Sequence, residues 1–134
     1  MSRHDVGVAD TSVLIALETG RELDASQMPD ALVTTVITRA ELEVGVLCAP
    51  DSAIASQRLA TLEQLADMVV LPATGESGHV WAQLRARLRE QKRRVDANDL
   101  WIAAIAVANE LPIVTQDADF DALEGAKGVT VIRV

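Results

Sequence analysis

Six carboxylates stand where the chain passes from apolar to polar: Asp10 after Val6-Gly7-Val8-Ala9, Glu41 in Thr38-Arg39-Ala40-Glu41, Asp96 and Asp99 in Asp96-Ala97-Asn98-Asp99, and Asp117 and Asp119 in Thr115-Gln116-Asp117-Ala118-Asp119-Phe120. Taken singly, each has an ordinary explanation as a helix cap. Thr38 and Glu41 have capping-box spacing, Asp96 suits an N-cap with Asp99 three residues on, and Asp10 or Asp117 can cap the segment next in the chain. Taken together they ask for more. Carboxylates delivered to one place from four segments repel, raise one another's pKa and cost stability unless a cation lies between them. No internal lysine or arginine is evident to serve as that cation. The donors are all oxygens, with no cysteine or histidine among them, which favours Mg²⁺ or Mn²⁺ over zinc. A hard ion held by a few carboxylates keeps waters in its other positions and suits phosphoryl transfer to water, because it lowers the pKa of a bound water and neutralises charge building on the phosphate. Whether one ion binds or two is left open by the spacing.

That chemistry requires elements that bring the acids to one edge. Val6-Gly7-Val8-Ala9 reads as a short buried strand, and residues 11–18 as a helix that stops near Gly20. Residues 32–37, rich in β-branched side chains, predict a second strand, followed from about Arg39 by a helix through Leu47 that Pro50 terminates. Ala55, Leu59, Leu62 and Ala66 recur at helical spacing, predicting a helix over 53–66 with those four as its apolar stripe. Residues 68–71 read as a third strand. Val80, Leu84 and Leu88 mark the buried face of a further helix, and 97–109 predict one that is apolar all round and packed on several sides. Ile113-Val114-Thr115 and residues 129–134 supply a fourth and a fifth strand. Continuous apolar strands separated by helices indicate an α/β fold with a central parallel sheet of about five strands, flanked by helices on both faces. The functional crevice of such a sheet lies beyond the carboxyl ends of its strands, where all six acids fall.

The chain of 134 residues is one domain's worth, with no repeat, low-complexity tract or linker, so a single domain over 1–134 is expected. With 49% apolar and 24% charged residues it can bury a sizeable core. The lone cysteine, Cys48, cannot form an internal disulfide and reads as a small buried hydrophobe in a reducing compartment. The apolar stretches near the N-terminus are split by Asp10 without a cleavage-type site, and no run approaches the ~18 residues of a membrane span, so a cytoplasmic protein is expected. A net charge of −8 argues against a general nucleic-acid-coating protein. There is a local exception. Arg85, Arg87, Arg89, Lys92, Arg93 and Arg94 hold six of the twelve basic residues, opposed only by Glu90. Two readings stand: an ordinary solvated helix face, or contacts to the phosphates of a nucleic-acid strand made by Arg85, Arg89, Lys92 and Arg93.

Val8-Ala9-Asp10-Thr11-Ser12, Ile37-Thr38-Arg39-Ala40-Glu41-Leu42, Asn98-Asp99-Leu100-Trp101-Ile102-Ala103-Ala104 and Ile113-Val114-Thr115-Gln116-Asp117-Ala118-Asp119-Phe120 resemble, in order and spacing, the successive motifs of the PIN-domain ribonucleases. The short tail after Phe120 makes the chain resemble the VapC toxins of type II toxin–antitoxin (VapBC) pairs, and the resemblance covers essentially its whole length. It implies a PIN-like fold and a metal-dependent endoribonuclease that cuts RNA, commonly structured RNA such as tRNA. Asp10, Glu41, Asp99 and Asp117 would be its catalytic and metal-binding quartet, with Mg²⁺ or Mn²⁺ as cofactor. Asp96 and Asp119 are further candidates, Asp117 being preferred to Asp119 because it is closer to the strand end. Thr11 or Ser12 would orient the first carboxylate or a metal-bound water, and Thr115 would act similarly. The resemblance also implies a VapB-type antitoxin whose C-terminal segment covers the groove, and a homodimer that forms a heterotetramer or larger assembly with it.

Two other readings compete. A receiver-type signalling domain also has an acidic pocket at strand ends, but it needs an aspartate after the middle strand, where Met68-Val69-Val70-Leu71 is followed by Pro72-Ala73-Thr74, and a lysine after a late strand, where Val114-Thr115-Gln116 has none. A catalytically silent PIN-like scaffold is the second, and retention of all four acids counts against it. Trp101 and Ile105 read as core and His79 as a surface or helix-end residue; His4 carries no signal. Trp81, Trp101 and Phe120 offer little aromatic surface for base stacking.

Overall fold

The computed structural model describes residues 5–134; His4 lies outside them. Strand β1 (Val6–Ala9) leads into α1 (Thr11–Thr19), then β2 (Ala31–Thr35), α2 (Val36–Leu47), α3 (Ser52–Glu63), β3 (Val70–Leu71), α4 (Gly75–Glu90), α5 (Ala97–Ala108), β4 (Ile113–Thr115) and β5 (Val131–Arg133). The five strands form one parallel sheet in the order β3-β2-β1-β4-β5. The chain builds outward from β1 in one direction through β2 and β3, then returns to its other side with β4 and β5. The switch point therefore lies between β1 and β4, where Val8 aligns with Ile113 and Ala9 with Val114.

Alternation along these two strands divides the core. Val8 and Ile113 pack with Leu84 and Leu88 of α4 and with Leu100 and Ile102 of α5, while Ala9 and Val114 pack on the opposite face with Val13 of α1. Helix α5 is buried from Ile102 through Ala106, as its all-round apolar character requires. Each of its fully buried isoleucines is worth about 1.5–3 kcal/mol in transfer free energy. The close approach of β1 to β4 depends on Gly7, where a Cβ would lie 2.5 Å from the Val114 side chain and 2.9 Å from that of Pro29. Gly20 ends α1 at φ 74°, a left-handed conformation that glycine adopts without the Cβ penalty.

Several local expectations are corrected. The second strand stops at Thr35, and Val36 and Ile37 already belong to α2. Thr35 is the N-cap, accepting from the Thr38 amide at 3.2 Å, so Thr38 and Glu41 form no capping box. The β-branched run hid this boundary because the threonine that ends the strand is also a good cap. The third and fifth strands shrink to Val70–Leu71 and Val131–Arg133. In α3 the expected stripe is displaced: Leu59 and Ala66 are exposed, whereas Thr61 and, just beyond the helix, Leu65 are buried. Cys48 is exposed just after α2. Phe120 is fully buried, which leaves Trp81 and Trp101, stacked on each other at 5.5 Å, as the half-buried aromatics. The strand that is third of five in sequence is an edge strand in space, and the central strand is β1, which ends at Asp10. No helix among the described residues is long and apolar enough to cross a membrane.

Candidate functional site

Asp10 sits at the carboxyl end of the central strand and is 4% exposed. It caps α1 through the Val13 amide, as a cap reading requires, but its two oxygens do more. Oδ1 accepts from the Ser12 hydroxyl at 2.6 Å and Oδ2 from the Thr115 hydroxyl at 2.7 Å. Thr115 closes β4, so a hydroxyl from the neighbouring strand fixes the carboxylate at the switch point. The same two hydroxyls hold the chain beyond β4: Ser12 Oγ accepts from the Gln116 amide and Thr115 Oγ1 from the Asp117 amide, both at 3.0 Å. Burial raises the Asp10 pKa above its ordinary value, these hydrogen bonds oppose the rise, and the charge of Asp117 adds to it.

Glu41 arrives from the second turn of α2. Its Oε1 accepts from Thr11 Oγ1 at 2.7 Å, while Thr11 also lies 3.4 Å from the Thr38 hydroxyl. The adjacent hydroxyls of Thr11 and Ser12 thus divide their work, Ser12 holding Asp10 and Thr11 holding Glu41. The sequence marks the pair of hydroxyls after Asp10 but not this division, which depends on where α2 crosses α1.

Asp99 is half-buried in the first turn of α5, whose N-cap is the exposed Asp96. Burial pushes the Asp99 carboxyl up to about 7, helped by the charges of Asp119, Asp96, Glu41 and Asp10. Asp119 is itself raised by desolvation and by the neighbouring carboxylates of Asp117 and Asp96. The six acids therefore occupy one electrostatic neighbourhood, with Asp117 acting on Asp10 and Asp119 on Asp99. Among the described residues, no three acidic, histidine or cysteine side chains are drawn in closely enough to grip a single ion. The ion pairs among these residues lie elsewhere, Arg133 with Asp121 and Glu124.

Of the basic cluster, Arg85 and Arg89 lie on the C-terminal half of α4 and Lys92 and Arg93 in the loop after it. They line a cleft of about 670 Å³ that reaches Ala97, the first residue of α5. His79 is exposed on α4, as expected.

Residues 8–126 match the PIN domain family. The chain is 56% identical over 128 residues to Ribonuclease VapC5 of Mycobacterium tuberculosis (strain ATCC 25618 / H37Rv), covering 96% of this chain and 95% of the relative. It is 37% identical to Ribonuclease VapC4 of the same strain over 129 residues, covering 92% and 95%. Among solved structures, the VapBC-5 toxin–antitoxin structure from Mycobacterium tuberculosis superposes with a TM-score of 0.91 at 53% identity, covering 97% of this chain and 99% of that one. The chain belongs to the PIN-domain family and, within it, to the VapC group.

Proposed function

We infer that the chain is the ribonuclease toxin of a VapBC pair, a single-domain enzyme that hydrolyses phosphodiester bonds in RNA with a divalent ion, Mg²⁺ or Mn²⁺, held by Asp10, Glu41, Asp99 and Asp117. The observation that carries this reading is the gathering of these acids near the switch point of the sheet, where burial, with the charges of Asp119, Asp96, Glu41 and Asp10, raises Asp99 to about 7. A cation relieves that cost directly. The donor set fits such an ion in kind: oxygens only, with Asp10 buried and held by three hydrogen bonds, Glu41 held by the Thr11 hydroxyl, and Asp99 and Asp117 half-buried. Asp10 would be the fixed ligand, and Glu41, Asp99 and Asp117 would be the others. Thr11, Ser12 and Thr115 set the directions of the carboxylate oxygens, the outer-shell work that keeps ligands in place. A bound ion supplies positive charge against the phosphodiester as it is cleaved, and it lowers the repulsion that RNA meets at an acidic edge. Asp119 and Asp96 stand at the rim, where Asp119 is the reserve ligand on the Asp99 side. The substrate is structured RNA such as tRNA, and the work is cytoplasmic.

The partner is a VapB-type antitoxin. A groove of about 340 Å³ runs from Thr11 and Glu41 between α1, α2 and α3. The same helices expose the apolar side chains Leu17, Val44, Leu47 and Leu59. A segment laid in that groove covers Glu41 and blocks the acids. The toxin pairs with itself, and with antitoxin it forms a heterotetramer or larger assembly.

The test is inducible expression of the wild type beside Asp99→Asn in a bacterial host, with growth followed and the 5′ ends of cellular RNA sequenced. Arrest with a small set of new RNA ends is expected for the wild type and not for the variant. With purified protein, EDTA stops cleavage and Mg²⁺ or Mn²⁺ restores it. A fully active Asp99→Asn protein, or cleavage that persists in EDTA, sinks the metal-site reading.

A further inference from the structure

The basic cluster resolves into two faces. Arg85, Arg89, Lys92, Arg93 and Arg94 share the cleft that reaches Ala97, whereas Arg87 lines a different surface beside Glu90 and Lys127. None of the five cleft cations forms an ion pair with a carboxylate among the described residues. The negative end of the α4 dipole favours Arg89, in the last turn of the helix. It does not account for Arg85, a turn earlier, or for the three cations beyond the helix end.

The loop also carries a local cost. Lys92 has φ 54°, the left-handed conformation that often succeeds a helix C-terminus and that glycine normally supplies. Its amide donates to the Arg89 carbonyl at 3.1 Å, and the Arg93 amide donates to the Leu88 carbonyl at 2.9 Å, so the turn is closed in spite of the side chain. A lysine where glycine is cheaper, among four arginines that nothing neutralises, runs against stability in both respects.

Placement identifies the ligand. Ala97, at one end of the cleft, directly follows the N-cap Asp96, whose charge bears on both Asp99 and Asp119, so the cleft ends beside that flank of the acid cluster. We propose that the cleft between the end of α4 and the start of α5 is a phosphate-backbone subsite that holds the RNA strand on one side of the bond cleaved at the acids. This rests on the ribonuclease reading above and extends it to the substrate: an RNA must continue several nucleotides past the cut on that side to gain full affinity. On a chain of net charge −8, a strand needs such a track to approach the acidic edge. The cleft reads charge rather than base or 2′-hydroxyl, so DNA of the same length is held equally well there.

The test is fluorescence anisotropy of a 5′-fluorescein-labelled 12-nucleotide uridine RNA against the full chain in EDTA, from 25 to 200 mM NaCl. Three to five phosphate contacts on a single strand give a slope of log K against log salt of roughly −2 to −3.5. Arg85→Gln/Arg89→Gln/Arg93→Gln lowers the magnitude of the slope by about 2 and weakens binding at least tenfold at about 100 mM salt. Arg87→Gln, an equal single charge change on the other face, leaves binding within about twofold, whereas Arg89→Gln alone weakens it by severalfold. Lys92→Gly raises the melting temperature, because glycine relieves the turn, and still weakens RNA binding several-fold. A purely structural lysine cannot produce that opposition. If the triple variant fails to fold, the Lys92→Gly and Arg89→Gln proteins decide.

A folded triple variant with the wild-type slope overturns the proposal, as does a wild type that fails to bind the RNA at 25 mM salt. Equal loss from Arg87→Gln and Arg89→Gln overturns it in favour of a diffuse positive field. Loss of antitoxin capture with RNA binding intact overturns it in favour of a protein partner. RNA recovered intact at the end of the EDTA titration keeps the metal reading separate, since shortened RNA would count against the metal and not against the cleft.

Discussion

At the scale of single residues, the site is a balance between a carboxylate that is held and carboxylates that are crowded. Asp10 accepts two hydroxyls and an amide, which offset much of the cost of burying it. Asp99 is pushed up to about 7 by burial and by the acids around it. That shift gives the linkage a definite sign. A group whose folded pKa lies above its unfolded value of 3.8 contributes stability that is complete below about 3.8 and lost as pH rises through about 7. Metal-free protein melted in EDTA therefore loses stability from this group between pH 4 and 7. Asp99→Asn removes that loss, and at pH 8 it should be more stable than the wild type by about 1–2 kcal/mol, a figure discounted for the solvent screening of a half-exposed group. Melting curves at pH 5 and pH 8 check this; equal pH dependence in the two proteins would show that Asp99 is not strained. Mg²⁺ should raise the wild-type melting temperature at pH 8 and leave that of Asp99→Asn nearly unchanged.

At the scale of elements, the site is where it is because β1 and β4 lie side by side and both end there. Their contact tolerates no side chain at Gly7. A Gly7→Ala methyl would meet Val114 at 2.5 Å and Pro29 at 2.9 Å, and both belong to packed, buried surroundings. Overpacking of this kind costs about 1–3 kcal/mol. Urea denaturation should show the lower midpoint, and cleavage should fall with it, because β1 carries Asp10 and β4 carries Thr115. A variant with wild-type stability would mean that the sheet opens at the switch point more readily than its burial suggests. Helix α2 contributes differently: Thr35 caps it from the last position of β2, which sets the rotation that points Glu41 toward Thr11.

At the scale of the whole molecule, charge and apolar surface divide the work. The acids occupy the carboxyl edge of the sheet, the cations gather at the end of α4, and exposed apolar side chains stand on the three helices that flank Glu41. On the function proposed above, the antitoxin would silence the toxin by covering the groove rather than by unfolding it. Val44→Lys together with Leu47→Lys, at positions 57% and 77% exposed, should weaken capture by a VapB-type antitoxin at least tenfold while leaving RNA cleavage unchanged. Pull-down and cleavage measured on the same preparation test it, and undiminished capture would move the partner to another face. Family membership and the VapBC structural likeness make such a partner the natural regulator.

The α/β class, the helices on both faces of a parallel sheet, the core positions Val80, Leu84 and Leu88 and the position of Asp10 at the end of β1 and of Asp117 just past β4 were legible in the sequence, because they arise from local apolar pattern and from the alternation of strands and helices; that Glu41 stands in the second turn of α2, and that Asp96 and Asp99 follow α4 rather than a strand, was not. The buried face of α3 and the exposure of Cys48 were not. An alanine-rich helix presents several equivalent faces, and only its neighbours choose among them. The boundary at Thr35 was hidden by β-branched residues that serve strand and cap alike. The order β3-β2-β1-β4-β5, which brings Thr115 to Asp10 across more than a hundred residues, and the crossing that gives Thr11 to Glu41, belong to the tertiary structure alone. Residue types carry chemistry and spacing carries secondary structure, but which hydroxyl meets which carboxylate depends on how elements pack, and no local interaction encodes that.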